Sequence, residues 1–545
     1  MKKHWSIKPI PEIQSLPEYP AIIGKLLALR GLGTKALVEE FLNPAYNKLH
    51  SPFLFQHMQK SIDRIWQAIE ARELITIYAD YDADAITAAA VLFLTFKKLG
   101  AVADVYIPDR FFEGYGVNSE AINKIKDKGS TLIVTVDCGT NSVEEAKLAK
   151  ELGIDLIITD HHELTGALPD SFSLINPKNP QDTYPYPFLT GVGVAFKLAT
   201  ALAASDKAKA LGVTSGWEKW LLDMVAIGTV ADCQSLTSEN RVLVGFGIKV
   251  LAKTIWPGVK ALLEEAGVEG PFDTFTLGFI LAPRINAAGR IKTADSAFRL
   301  LVSDNIMEAK NLAVELGELN RHRQKLTEQI LSEAKEQVEV IADKKVLLAA
   351  GAWPKGVVGL VAGKLAEEYG RPVLVLDRSE LLATGSGRST AGFDMVAALT
   401  FAKDLLKKYG GHTQAAGFTL DRANIPDFHQ KLLEYADNFY EIAQPVLEID
   451  STASAADLNW DNFNLIEKMA PFGIGNPKPR FLSAGLTVAD LRTVGNANQH
   501  LKLKLKAGDK VFDAIGFGKG FLLPSLSIGS AVDAVFELSA NSWNG

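Results

Sequence analysis

Three apolar segments in the first third of the sequence each end in residues that can bind a metal ion. They are the predicted strands 74–79, 131–137 and 154–159, which lead into Asp80 and Asp82, into Asp137, and into Asp160, His161 and His162. The carboxyl ends of parallel strands meet at one edge of a sheet, so we expect these side chains to lie together. Carboxylates crowded there repel one another unless a cation lies among them. The sequence therefore predicts a metal site.

The spacing of the acids suggests which of them are ligands. Residues two apart in an extended segment point the same way, so Asp80 and Asp82 project together. Asp84 is instead expected to be the N-cap of a helix over 85–99. Asp232, at the end of another predicted helix, is a further candidate ligand. The alternative is that each Asp only caps a helix or closes a turn, and five converging positions argue against it.

The ligand types also bear on the metal. Two divalent cations about 3.5–4 Å apart need about this many carboxylate and imidazole ligands. Mixed imidazole and carboxylate ligation suits Mn²⁺, whereas a set made only of oxygen atoms favours Mg²⁺.

The composition is that of an ordinary globular protein. The residues are 47% hydrophobic and 22% charged. A chain of 545 residues is too long for a single hydrophobic core, so we expect about two to four domains. No apolar stretch reaches the roughly 20 residues of a membrane span, and the N-terminus lacks the apolar segment of a signal peptide. The two cysteines, Cys138 and Cys233, exclude a disulfide framework and suit a reducing cytoplasm. The net charge of −7 decides little, because local basic patches can still bind nucleic acid.

The order of the predicted elements indicates an α/β protein. Strands alternate with predicted helices at 85–99, 118–127 and 141–152, which is typical of a doubly wound parallel sheet. Further helices are predicted at 191–204, 217–230 and 241–265. Short alternating segments from about Pro445 predict a small β domain. The predicted domains are 1–303, a connecting helix over 304–340, a second, smaller α/β domain over 341–440, and a β domain over 441–545.

Three motifs carry a resemblance to a known superfamily. They are Asp80-Tyr81-Asp82-Ala83-Asp84, Val136-Asp137-Cys138-Gly139 and Asp160-His161-His162. The chain resembles the DHH phosphoesterase superfamily and, within it, the RecJ-type single-strand-specific DNA exonucleases. Supporting segments follow in order at 283–290, 385–389, 410–418 and 471–477. The Asp-His-His triplet alone is weak evidence, but the ordered set is specific.

The resemblance implies roles for the residues of the site. It makes two divalent cations, Mn²⁺ or Mg²⁺, the cofactors. It assigns their ligands as Asp80, Asp82, Asp137, His161 and Asp232, with Asp137 as the bridging ligand. His162 then faces the scissile phosphate, and Asp160 orients the neighbouring imidazole. It also implies a DHH-associated α/β domain after the long helix and an OB-like C-terminal β domain.

Cationic and polar side chains further along the chain are candidates for contacts with nucleic acid. Arginine pairs with phosphate through two parallel hydrogen bonds, although a solvated or salt-bridged arginine is the alternative at each position. The resemblance favours phosphate contacts by Arg284, Arg290, Ser386 and Arg388. It also implies that Arg110 joins Ser386 and Arg388 around a 5′-terminal phosphate, and that His412 lies at the cleft between the two α/β domains.

A row of lysines near the C-terminus has two explanations. In the segment 500–506 leucine and lysine alternate, so Leu501, Leu503 and Leu505 are expected to face a core. Lys502, Lys504 and Lys506 then protect an edge strand or form a track for nucleic acid. The resemblance favours the track.

The resemblance predicts a metal-dependent exonuclease that degrades single-stranded DNA from its 5′ end in DNA repair and recombination. Its partner is single-stranded DNA, with a single-strand-binding protein or a helicase as candidate protein partners and no membrane. One alternative is a DHH phosphodiesterase of oligoribonucleotides or cyclic dinucleotides, which preferential cleavage of short RNA would support. The other is a non-catalytic DHH scaffold of a repair assembly, which an inactive, metal-free protein would support.

Overall fold

The computed structural model describes residues 4–12, 16–109, 113–114, 116–442 and 444–541. Its strands are His4–Ile7 (β1), Leu74–Ala79 (β2), Val102–Tyr106 (β3), Ser130–Val136 (β4), Asp155–Thr159 (β5), Ser173–Ile175 (β6), Leu347–Gly351 (β7), Val373–Asp377 (β8), Leu382–Arg388 (β9), Leu406–His412 (β10), Ala415–Asp421 (β11), Val446–Ile449 (β12), Ser451–Thr452 (β13), Phe481–Val494 (β14), His500–Ala507 (β15), Lys510–Gly516 (β16) and Ala531–Phe536 (β17). Its α-helices are Ala21–Ala28 (α1), Lys35–Leu42 (α2), Met58–Ala71 (α3), Ala83–Lys98 (α4), Ser119–Asp127 (α5), Val143–Glu151 (α6), Gly191–Ala204 (α7), Asp206–Ala210 (α8), Leu222–Ala231 (α9), Ser238–Leu251 (α10), Pro257–Ala266 (α11), Ala282–Ile291 (α12), Asp295–Val302 (α13), Ile306–Val340 (α14), Lys355–Tyr369 (α15), Met395–Phe401 (α16), Ile425–Phe439 (α17) and Trp460–Glu467 (α18).

The first sheet is wholly parallel, with the strand order β3-β2-β4-β5-β6. Its central strands are runs of β-branched and aliphatic residues, and residues 132–136 of β4 are buried throughout. The chain leaves β2 for β3 on one side and returns to β4 on the other side. Open α/β sheets bind ligands at such a switch point, outside the carboxyl ends of the strands. The predicted doubly wound parallel sheet is confirmed.

Two of the predicted helices are interrupted. A short 3₁₀ turn at Trp217–Leu221 precedes α9, so that the predicted helix 217–230 is regular only in its second part. The predicted helix 241–265 is instead the pair α10 and α11. Pro257 is the first residue of α11, where its missing N–H breaks no helical hydrogen bond.

A second sheet follows the long helix α14, in the order β10-β11-β9-β8-β7. Strands β7 and β8 are parallel, and the other pairs are antiparallel. One face of α15 packs against this sheet in a cluster that includes Val357, Val361, Val373 and Val375. The predicted second α/β domain is therefore built on a mixed sheet.

Compact packing divides the chain into two units. Of the described residues, those within 49–445 form one unit, and those within 4–48 pack with those within 446–541 in the other. In the second unit β1 pairs with β12 in parallel, and Leu26 and Leu27 of α1 share a core with Met469 and Phe481. Packing thus joins the described residues within 4–48 to the C-terminal β domain, whereas the sequence analysis placed them in the N-terminal domain.

The C-terminal sheet excludes one of the two explanations of the lysine row, and the nucleic-acid track stays a prediction. Strand β15 lies between β14 and β16, so its lysines do not protect an edge and that alternative is wrong. Leu501 and Leu505 are buried and Leu503 is partly buried, as predicted. Among the described residues, no helix combines the length and the apolar character needed to cross a bilayer.

Candidate metal centre

The carboxyl ends of three neighbouring strands bring the predicted acids into one row. Asp80, Asp137 and Asp160 are the residues directly after β2, β4 and β5. The registers pair Ala79 with Val136 and Val136 with Thr159, so the three acids stand side by side at the switch point. All three are almost completely buried, with 1–3% of each residue exposed. Uncompensated carboxylates at such a position are costly, which is the condition that cation binding relieves.

The turn after β4 fixes the position of Asp137. Its φ angle is 59°, in the left-handed region that Asp tolerates better than most residues. Gly191, the first residue of α7, packs directly against it. A Cβ at position 191 would lie 2.5 Å from the Cβ of Asp137, so only glycine lets the helix approach this closely.

The first turn of α4 differs from the sequence-based prediction, because Asp82 rather than Asp84 caps the helix. Oδ1 of Asp82 accepts hydrogen bonds from the backbone N–H groups of Asp84 and Ala85, at 2.9 and 3.0 Å, so Asp82 is the N-cap. The prediction that Asp84 is the N-cap is therefore wrong. Its carboxylate is buried and accepts the backbone N–H groups of Gly191 and Val192, at 2.7 and 2.9 Å.

Four further side chains surround the imidazole of His161. Its Nε2 lies 3.0 Å from Oδ1 of Asp137, 3.8 Å from Oδ2 of Asp232 and 4.0 Å from Oδ2 of Asp84. One potential ligand atom from each of Asp137, His161 and His162 falls within 4.8 Å of the others, and the same holds for Asp84, His161 and Asp232. His161 belongs to both groups, so the geometry offers two adjoining positions for cations.

The state of the ligand atoms fits a divalent cation. Oδ1 of Asp137, Nε2 of His161 and Oδ2 of Asp232 are buried, and none has a hydrogen-bond partner within the described part of the chain. Buried polar atoms are nearly always satisfied, and exceptions of this kind mark functional sites or unplaced ions. Carboxylate oxygen and imidazole nitrogen are ligands that Mn²⁺ accepts.

Burial sets the protonation of the cluster in the absence of metal. Burial, reinforced by neighbouring carboxylates, raises the pKa values of Asp84 and Asp137 well above normal. Burial together with the charge of Asp82 raises the pKa of Asp232 to about 7. Burial lowers the pKa of His161 to about 3, which keeps its imidazole neutral, the form that binds metals.

Asp160 orients the second imidazole of the triplet. Its Oδ1 accepts a hydrogen bond from Nδ1 of His162 at 2.8 Å, and its Oδ2 accepts the backbone N–H of Thr140 at 2.9 Å. Burial alone lowers the pKa of His162, but the hydrogen bond and the charge of Asp160 outweigh it and raise the pKa. The same bond lowers the pKa of Asp160, against the effect of its own burial.

The predicted nucleic-acid-binding residues lie in several places. Nε of Arg284 donates to Oε2 of Glu265 at 2.7 Å, so its guanidinium is paired with a carboxylate in this structure. An Nη1 of Arg290 donates to the carbonyl of Gly356 at 3.1 Å, which joins the end of α12 to the start of α15.

In β9 Nη1 of Arg388 donates to Oγ of Ser386 at 2.7 Å. A Cβ on Gly359 of α15 would be 3.0 Å from both side chains, so the helix runs close to this pair. His412 is exposed at the end of β10. Arg110 lies outside the described residues.

The cluster contains one residue that the sequence analysis did not count as a ligand. Asp84 approaches His161 and Asp232, and it was set aside because an Asp before an Ala-rich helix usually caps it. The sequence feature that could have identified Asp84 is its position as the third acid of the Asp-x-Asp-x-Asp spacing. The assignment of individual ligands and phosphate contacts stays a prediction.

A parallel doubly wound sheet with acids and imidazoles gathered at its switch point is the arrangement of a metal-dependent phosphoesterase. Family models match in three places: the N-terminal domain of the DHH family over residues 74–229, the DHHA1 domain over 343–438 and the RecJ OB domain over 449–545.

Relatives extend this match to the whole chain. The single-stranded-DNA-specific exonuclease RecJ of Bacillus subtilis is 40% identical over 100% of this chain and 69% of its own length, and that of Haemophilus influenzae is 32% identical over 100% and 97%. The crystal structure of Thermus thermophilus RecJ with Mn²⁺ superposes with a TM-score of 0.83 at 30% identity, covering 99% of this chain and 77% of that one. The chain belongs to the RecJ family.

Proposed function

We propose that this chain is a divalent-metal-dependent exonuclease that hydrolyses phosphodiester bonds of single-stranded DNA from the 5′ end. The observation that carries the proposal is the convergence of Asp84, Asp137, His162 and Asp232 on the imidazole of His161. The relatives named as single-stranded-DNA-specific exonucleases support the substrate class. The 5′ polarity comes from the resemblance to RecJ-type enzymes.

The proposed ligands of two cations, Mn²⁺ or Mg²⁺, are Asp80, Asp82, Asp137, His161 and Asp232. Asp82 caps α4 through Oδ1, which leaves its second oxygen as the proposed ligand atom. When bound, such cations lower the pKa of the attacking water and offset charge on the leaving 3′-oxygen. Asp84 holds the N-terminus of α7 against the cluster through two backbone hydrogen bonds. Its carboxylate also adds a negative charge beside the proposed cations.

His162 is the proposed catalytic residue of the chain itself, and Asp160 is its positioning residue. With Nδ1 of His162 bonded to Asp160, the proposal directs the Nε2–H edge of the ring towards a phosphate oxygen. The raised pKa of His162 favours the protonated ring. A protonated imidazole binds an anionic phosphate better than a neutral imidazole does. About one-third of its side chain is exposed, so a substrate can reach it.

The proposed DNA path runs between the two α/β domains. Arg284, Arg290 and His412 contact the strand, and Arg110, Ser386 and Arg388 hold its 5′-terminal phosphate. The contact between Arg290 and Gly356 supports this path, because it brings α12 beside α15. A path too narrow for a duplex accounts for strand selectivity. A single-strand-binding protein or a helicase is the class of partner that supplies the unpaired strand, and the cytoplasm is the proposed compartment.

A degradation assay tests the proposal. Single strands labelled at the 5′ or the 3′ end and the matching duplex are incubated with Mn²⁺, with Mg²⁺ or with EDTA. We expect immediate release of the 5′ label from the single strand, slower release of the 3′ label, little cleavage of the duplex and none with EDTA. Preferred cleavage of short RNA or cyclic dinucleotides would favour the small-substrate phosphodiesterase. An inactive protein that binds no metal would favour the scaffold.

A further inference from the structure

The long helix α14 presents one continuous buried stripe to two different partners. Its buried positions are Ala309, Leu312, Ala313, Leu316, Gly317, Leu319, Asn320, Thr327, Ile330, Ala334 and Val338. The first part packs on the helices α11 to α13, and a Cβ at Gly317 would overlap Glu265 of α11. Ile330, Ala334 and Val338 belong to the core that contains α15 and β7.

Arg323 occupies the stripe at the point where α14 passes from one set of partners to the other. The steps from Leu316 through Asn320, Arg323 and Thr327 to Ile330 are three or four residues, so all five share one helix face. A side chain in this position is expected to be apolar, because its neighbours on the face are buried.

The side chain of Arg323 is partly buried, and its guanidinium has no partner among the described residues. Its Nε is buried without a hydrogen bond, and no ion pair or hydrogen bond joins its side chain to any residue that the structure describes. Burial also lowers its pKa. Arg321, two residues earlier, is different: it is exposed over 58% of its side chain and is paired with Glu265 at 2.7 Å.

A second unsatisfied group lies one turn before Arg323. Asn320 is only 3% exposed, and its Oδ1 has no hydrogen-bond partner among the described residues. Rotation of the amide exchanges its oxygen and its NH₂ group, so the same position can offer a donor. Two adjacent buried groups that lack partners argue for a ligand better than either does alone.

The surroundings indicate the charge and kind of that ligand. Withdrawing even part of a guanidinium from water without a counter-charge is destabilising, so an anion is the ligand that fits the buried Nε of Arg323. Both α12 and α15 pack on α14, and these helices carry the contact of Arg290 with Gly356 and the approach of Gly359 to Arg388. Arg323 therefore stands on the helix that joins the two domains between which the proposed DNA path runs.

We infer that Arg323, assisted by the amide of Asn320, binds a backbone phosphate of the single-stranded DNA. The inference rests on the proposed function and adds a substrate contact to it. The planar guanidinium forms two parallel hydrogen bonds with a phosphate, which a lysine cannot reproduce. Binding then gives the buried Nε an acceptor and the guanidinium a counter-charge, which no described residue provides.

Equilibrium binding without hydrolysis tests the inference. The full chain is titrated onto a fluorescent single strand in EDTA at several salt concentrations, and fluorescence anisotropy gives Kd. We expect Arg323→Met to raise Kd about tenfold or more, because a charge-assisted hydrogen bond is lost. The slope of log Kd against log salt should fall by about 0.7, the value for one phosphate of a single strand. The Kd of Arg323→Lys should lie between those of the parent and of Arg323→Met.

Arg321→Met is the matched control, since it removes the same type of side chain from an exposed, paired position of the same helix. It should leave Kd and the salt slope close to those of the parent. The Tm of Arg323→Met should equal or exceed the parent value, because the variant removes an uncompensated charge. Asn320→Asp provides a carboxylate one turn from Arg323 and should weaken DNA binding while the protein stays folded.

The outcomes separate this inference from the proposed function. A parent protein that does not bind single-stranded DNA would overturn the proposed function and the inference with it. A parent that binds, together with an unchanged Kd and salt slope for Arg323→Met, would overturn the inference alone. An equal increase in Kd for Arg323→Met and Arg321→Met would also overturn it, because the effect would then come from the loss of any positive charge on the helix. A fall in Tm with unchanged binding would assign Arg323 a structural role instead.

Discussion

Asp137 combines a strained backbone with the charge that the cluster needs. Asparagine tolerates the same left-handed φ of 59° and has almost the same volume against Gly191, but it carries no charge. Asp137→Asn should therefore lower metal-dependent hydrolysis about 100-fold or more. In EDTA its Tm should match or exceed that of the parent, because the uncharged amide avoids the cost that burial and the neighbouring carboxylates impose on an ionised carboxylate. Nuclease assays and thermal unfolding measure the two effects, and near-normal hydrolysis would contradict the assignment of Asp137.

Asp223, in the first turn of α9, should make stability depend on pH. It is fully buried, and its burial raises the pKa to about 7, against hydrogen bonds from Thr254 and from the backbone N–H of Met224. A raised pKa in the folded state means that its contribution to stability is complete below about pH 4 and is lost as the pH rises through about 7.

Asp223→Asn copies the protonated carboxyl and removes this dependence. Relative to the parent, its free energy of unfolding should be unchanged near pH 4 and should rise progressively up to pH 7, then stay constant. Urea titrations across this range measure the difference. Asp206→Asn, at an exposed carboxylate, is the control and should show no such gain. A constant difference between Asp223→Asn and the parent at all pH values would rule out titration of Asp223.

The N-cap of α4, predicted at Asp84 and found at Asp82, shows what a sequence can and cannot specify at this scale. Three acids at every second position, 80, 82 and 84, predict a metal site from residue types and spacing alone. Which acid caps α4 depends on Gly191 and Val192, because their N–H groups bind the carboxylate of Asp84. These residues follow Asp84 by more than 100 positions in the sequence. No local pattern contains that information.

Among the secondary-structure elements, α7 and α10 are joined by a buried ion pair. Nζ of Lys197 lies 2.6 Å from Oε1 of Glu239, both side chains are 3% exposed, and Glu239 also accepts the backbone N–H of His50 and the hydroxyl of Tyr184. The pair therefore fixes the helix whose first residue, Gly191, packs on Asp137.

Glu239→Ala leaves the ammonium of Lys197 buried and unpaired. We expect it to lower the free energy of unfolding by about 3–5 kcal/mol. The double variant Lys197→Met with Glu239→Gln should recover most of this loss, since neither charge remains and the amide oxygen can still accept a hydrogen bond from His50 or Tyr184. Urea denaturation of the parent, the single variant and the double variant gives the comparison. A loss below about 1 kcal/mol for Glu239→Ala would show that the pair contributes little.

Strands β2, β4 and β5 of the first sheet were predictable because buried parallel strands are short aliphatic runs. Strand β4 is shifted by one residue from its predicted bounds, and β5 begins one residue later than predicted, whereas the short strand β6 was not predicted. The helical region after these strands was less predictable. A continuous apolar periodicity over 241–265 hid the break between Leu251, where α10 ends, and Pro257, where α11 begins. The apolar pattern continues through this break, so periodicity alone does not reveal it.

At the scale of the whole molecule, the two ends of the chain share one core. Ile23, Leu26 and Leu27 pack with Met469 and Phe481, and the sequence could not reveal this because the contacting segments are more than 400 residues apart. Deletion of residues 1–48 should therefore unfold the C-terminal unit. Amides of β14 to β17 should lose protection from hydrogen exchange, while those of β2, β4 and β5 keep it. Unchanged protection of β14 to β17 would contradict this dependence.

The shared core also has a consequence for synthesis on the ribosome. The apolar face of α1 shares its core with Val38 and Leu42 of α2, but the other buried members of that core begin at Ala453, about 400 residues later. At 5–20 residues per second, synthesis of that stretch takes about 20–80 s, while the intervening unit can already fold. The core of the second unit therefore stays incomplete on the ribosome until the intervening unit has been made, so this unit is the one whose folding must wait for release of the C-terminal segment.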